Sequence, residues 1–73
     1  MSTQSWMAVW EITYAVSWKE HEPADPKRLQ TDYVLAKDFH QAWQLILEQG
    51  KLFNQFNHRL NAVKTIAENV IVP

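Results

Sequence analysis

Every second residue from Trp6 to Trp18 is apolar or aromatic: Trp6, Ala8, Trp10, Ile12, Tyr14, Val16 and Trp18. The residues between them, Met7, Val9, Glu11, Thr13, Ala15 and Ser17, are smaller and more mixed. Successive side chains on a β-strand point to opposite faces, so this register collects three indoles, a phenol and two β-branched residues on one side. A helix would scatter the same residues around its cylinder, and aromatic and β-branched side chains favour extended backbone. The stretch therefore predicts a strand. At about 3.3 Å per residue it would reach roughly 43 Å. That is long for a chain of 73 residues, and it calls for a bend, a bulge or ends that overhang the sheet.

The rest of the chain is organised around that strand. Lys19 to Gln30 is a charged connection containing Pro23 and Pro26. Proline breaks strand pairing, and connections of about twelve residues are functional or mobile; with no phosphate-cradling glycine pattern, mobility is the expectation. Thr31 to Lys37, with Tyr33, Val34, Leu35 and Ala36, reads as a second strand, too short to cover all of the first. Asp38 is suited to cap a helix, and Gln41 to complete a capping box. Phe39, Ala42, Trp43, Ile46 and Phe53 recur at helical spacing and predict the face laid on the sheet. Gly50 either ends this helix or lies inside a longer one; Leu52, Phe53 and Phe56 favour continuation, so the helix is read to about Asn54. From 58 to 72, Leu60, Val63, Ile66 and Ala67 also fit a helix, but the β-branched content favours a third strand. A turn at Glu68-Asn69 would then leave Val70–Val72 as a short fourth strand. The reading is an α+β fold: a small antiparallel sheet in β-β-α-β order against one long helix, a single domain over 1–73 with a flexible tail at 1–5 and a flexible loop at 19–30.

Composition excludes several function classes. There is no cysteine, hence no disulfide framework or thiolate metal site. The net charge is −1 with both signs interspersed, whereas nucleic-acid binders present a basic excess or stripe. Neither a signal sequence nor a run of about 18 apolar residues is present, so no membrane association is expected. His21, His40 and His58 are dispersed and not at metal-ligand spacing. Glu11 is the only carboxylate expected to be partly covered, and no nucleophile or second acid can be assigned beside it. No cofactor is implied, and the expectation is a protein that is not an enzyme.

What remains is recognition of another macromolecule. Trp6, Trp10, Tyr14 and Trp18 could stack on single-stranded bases, but Glu11, Glu20 and Glu22 outnumber Lys19 nearby, which weakens that reading. One helix covers only the middle of a long strand, and tryptophan at a half-exposed position is typical of interface hot spots. Trp10 and Trp43 are expected in the core and Trp6 at an interface. An unpaired length of the first strand would add free backbone groups for edge addition, to a partner or to another copy of the chain.

In length, in its lack of catalytic motifs and in its opening Met1-Ser2-Thr3-Gln4-Ser5-Trp6-Met7-Ala8-Val9-Trp10, the chain resembles the small phage-encoded regulators of host RNA polymerase, as known from a Xanthomonas phage. The resemblance implies a protein of the host bacterial cytoplasm that inhibits transcription initiation and promotes antitermination. The implied partner is the amino-terminal region of the largest polymerase subunit, without direct nucleic-acid contact. The implied contact residues are Ser2, Thr3, Gln4, Ser5, Trp6, Met7, Val9 and Trp10.

Overall fold

The alternating segment is the central strand of the sheet. A computed structural model describes residues 5–72. In chain order these form β1 (Ser5–Ser17), β2 (Leu29–Ala36), α1 (Phe39–Leu52) and β3 (Phe56–Val72). The three strands make one antiparallel sheet in the order β2-β1-β3, with α1 on one face, an α+β fold of two layers. The molecule is elongated, 49 × 21 × 15 Å, because β1 sets its long axis.

The core follows from the alternation of β1. Ile12, Tyr14 and Val16 are buried on the face that α1 covers, together with Ala36, Ala42 and Ile46. Trp10, Val34, Phe39 and Trp43 pack around that cluster. The helix begins as the sequence predicts: Asp38, with extended backbone, accepts a hydrogen bond from the Gln41 backbone N–H at 2.8 Å. Gln41 reaches back one residue further than in the usual box, accepting from the Lys37 N–H at 2.7 Å.

Three expectations meet the structure differently. First, Gly50 is buried inside α1, as the longer-helix reading expects, and the helix ends at Leu52, two residues short of Asn54; Gly50 does not have positive φ. The left-handed residue after the helix is Asn54 (φ 55), and the Phe53 and Gln55 N–H groups both donate to the Gly50 carbonyl. Glycine at position 50 is explained by β3, since a Cβ there would lie 2.5 Å from the His58 ring. Second, Phe53 does not face the sheet. It is the C-cap residue of the helix and is 58% exposed. Third, the carboxyl-terminal segment is one strand of seventeen residues, not two strands and a turn. Thirteen residues of β1 lie against those seventeen, and four register shifts, all on β3, take up the excess. Asn57 (φ 55) and Asn69 (φ 56) sit at two of them. Asn69 therefore bends the strand where the sequence suggested a turn, since bulged strands coil without breaking.

Candidate binding surface

Along β1 the aromatic residues divide by what covers them. In the middle, the Trp10 indole donates to the Ala36 carbonyl at 3.1 Å and packs against Phe39 at a centroid distance of 6.2 Å. Phe39 stacks on Trp43 at 6.0 Å, and Trp43 meets Tyr14 edge-on at 6.0 Å. The tyrosine hydroxyl donates to the Asp32 carboxylate on β2. Burial raises the Tyr14 pKa above its ordinary value, and the bond to Asp32 and its charge add to the rise. These rings are covered by α1, so they form no open platform on which bases could stack.

The amino-terminal end of β1 runs past the helix. Phe39 opens α1 over Trp10, and Trp6 lies four positions further along, roughly 13 Å away. Trp6 faces Ile71 across the β1–β3 ladder. Opposed residues of an antiparallel pair share a face, so the two form one apolar patch, with Trp6 55% and Ile71 49% exposed. Beside it is a cleft of about 240 Å³ whose walls include Trp6, Trp10, Lys37 and Glu68. On its β2 side β1 is paired only over Ala8–Ala15. Among the described residues, Ser5 to Met7 therefore have a ladder partner on one edge alone, β3.

The candidate residues read from the sequence do not form one surface. Ser2, Thr3 and Gln4 lie outside the described residues. Ser5 pairs with Val72 at the end of the ladder. Trp6 and Trp10 belong to the helix-covered side of β1, one beyond the helix and the other against the core. Met7 and Val9, both half-buried, alternate to the opposite face. The expected free edge of the first strand is corrected to that short length at Ser5–Met7, because β1 is central and β3 accompanies it throughout. Ile71, Lys37 and Glu68 escaped the sequence reading. Only the register of β3 brings Ile71 and Glu68 to Trp6, and that register depends on bulges without a strong sequence signal.

The remaining polar groups act within the fold. Glu11 pairs with Lys64 at 3.5 Å on the face without a helix. His21 and His40 are exposed. His58 stacks on Tyr14 at 5.5 Å and meets Trp43 edge-on at 6.2 Å. Its Nε2 is buried without a hydrogen-bond partner, and burial lowers its pKa. The charged connection is held to the sheet by Asn57, whose side-chain amide donates to the carbonyls of Glu20 and Glu22. Among the described residues no three His, Asp or Glu side chains converge on a cation position, and no helix is long and apolar enough to cross a membrane.

No family model, curated protein or solved structure matches the chain.

Proposed function

We propose that this chain is a non-catalytic protein-binding module that grips its partner through the uncovered end of β1. The observation that carries the reading is the Trp6–Ile71 pair, two large apolar side chains half-exposed side by side beyond the reach of α1. Tryptophan next to a cleft with Lys37 and Glu68 at its walls resembles the anchor of an interface hot spot with a polar rim. The short single-sided length of β1 at Ser5–Met7 offers backbone groups beside that anchor.

The partner that best fits this reading is bacterial RNA polymerase, through the resemblance of the opening segment to phage regulators that inhibit initiation and promote readthrough of terminators. The chain would then act in a host cytoplasm, by contact with the largest subunit and without gripping nucleic acid itself. The test is interferometry of the immobilised protein against purified core polymerase. Trp6→Ala should weaken binding at least 30-fold, corresponding to about 2 kcal/mol, the threshold for a hot spot. Leu52→Ala, on the 80% exposed outer side of α1, should leave binding unchanged. Binding of Trp6→Ala at full affinity would remove this surface from the account, and no binding by the unaltered protein would remove the polymerase.

A further inference from the structure

The two outer strands of the sheet have opposite characters. β3 departs from regular geometry at four register shifts, and bulges of this kind protect a free edge from pairing with another chain. β2 has none of that protection. It pairs with β1 from Leu29 to Ala36 without a shift and contains neither proline nor a basic residue. Its outer backbone edge has no partner strand among the described residues.

The side chains of β2 are apolar on both faces, whereas an ordinary half-covered strand turns its apolar residues inward. Toward the helix it presents Val34 and Ala36, which belong to the core, and Gln30 and Asp32, each satisfied inside the fold, by Gln55 at 3.2 Å and by the Tyr14 hydroxyl respectively. Toward the open face it presents Leu29, Thr31, Tyr33 and Leu35, with Leu29 48%, Tyr33 64% and Leu35 43% exposed. The helix adds to this flank. Trp43 and Gly50 turn toward His58 on β3. Helical geometry therefore puts Leu45, 43% exposed, and Leu52 on the opposite, β2 side.

The geometry points to a second copy of this chain as the occupant: β2 pairs antiparallel with β2 of the other copy about a two-fold axis, joining two sheets of three strands into one of six. This interface is distinct from the Trp6 surface and stands or falls separately. A two-fold axis normal to the sheet sets one residue of β2 opposite itself. With Asp32 on the axis, two carboxylates would face each other, which is unfavourable. With Thr31 on the axis, Asp32 faces Gln30 of the second copy, an amide donor, and Arg28 of that copy is its diagonal neighbour. The same register sets Leu29 against Tyr33 on the open face. Charge thus favours Thr31 over Asp32, and over Tyr33, which would set the carboxylate against Val34; Gln30 on the axis would set Asp32 against Arg28 but would pair only Leu29–Thr31 of each strand. The near-neutral net charge of −1 per chain opposes association little. In this register Leu29–Tyr33 of the two copies overlap, a paired length of about 17 Å, and, counting sheet and helix, the flank is about 20 Å deep. Its roughly 330 Å² of projected area, increased by the relief of its side chains, stays below the roughly 800 Å² that a stable interface takes from each partner, so the dimer forms only at high concentration.

The test uses the absence of native cysteine. Thr31→Cys would bring two thiols opposite each other across the axis, within disulfide reach. Mild oxidation should convert most of the Thr31→Cys protein to a covalent dimer, and Ile66→Cys, 51% exposed on β3 at the other side of the sheet, should remain largely uncrosslinked. Light scattering of the unaltered protein should show its mass doubling with concentration, and Tyr33→Lys should abolish that doubling while retaining the native circular dichroism spectrum. A monomeric mass up to about 0.5 mM, or efficient crosslinking from Tyr33→Cys in place of Thr31→Cys, would overturn the proposal.

Discussion

Gly50→Ala tests the packing between helix and sheet with one methyl group. In an exposed helix interior, alanine in place of glycine stabilises by about 1 kcal/mol. Here the added carbon would lie 2.5 Å from His58 Cε1 and 2.6 Å from Nε2, too close for either position to persist. The imidazole cannot simply swing away, because Tyr14 stacks on it and Trp43 meets its edge. Overpacking of this kind costs about 1–3 kcal/mol. After the helical gain is subtracted, the net change should be a destabilisation of up to about 2 kcal/mol, and a chain of this size should lose roughly 4–8 °C of melting temperature for each kcal/mol. Urea unfolding followed by tryptophan fluorescence measures the change. The same substitution in a His58→Ala background has room for its methyl group and should stabilise by up to about 1 kcal/mol, so a double-mutant cycle isolates the clash. If Gly50→Ala stabilises the native background by that full amount, the argument for glycine at this position is refuted.

Three further predictions concern pH and capping. His58 has a lowered folded pKa, so the unfolded chain binds its proton more readily. Stability should be full above the ordinary histidine value of about 6.5 and fall as pH drops through it, and His58→Phe should flatten urea midpoints between about pH 7 and 5. Tyr14 has the opposite sense: its raised pKa should make stability decline above the ordinary tyrosine value of about 10, a decline Tyr14→Phe should lack. Asp38→Ala should cost about 1 kcal/mol in the same urea assay by orphaning the Gln41 N–H.

The parts of the fold legible in the sequence were those governed by local periodicity. The alternation of Trp6 to Trp18 gave the strand and its covered face, and Asp38 with Gln41 gave the helix start. The cores around Trp10 and Trp43 followed from the same patterns. What stayed hidden depended on contacts between distant residues. Gly50 has two local explanations and one distant cause, the ring of His58. Asn69 favours left-handed backbone in a turn and in a bulge alike, so the sequence between Ala67 and Val70 could not distinguish a hairpin from a bent strand. The central position of β1 could not be read either, because it depends on β3 being long enough to accompany it. For the candidate surface, the exposure of Trp6 was legible from strand length against helix length. Its neighbour Ile71 was not, since a single slip of register would bring a different residue beside the indole.

The most direct test of the central claim, that the uncovered end of β1 meets a protein partner, is site-specific photocrosslinking. The photoreactive residue p-benzoylphenylalanine would replace Trp6 in one variant and Leu60, on the far part of β3, in another. Each would be irradiated with bacterial RNA polymerase and the adduct identified by mass. The account predicts an adduct from position 6 with the largest subunit and little from position 60. An adduct from position 60 with none from position 6 would contradict it.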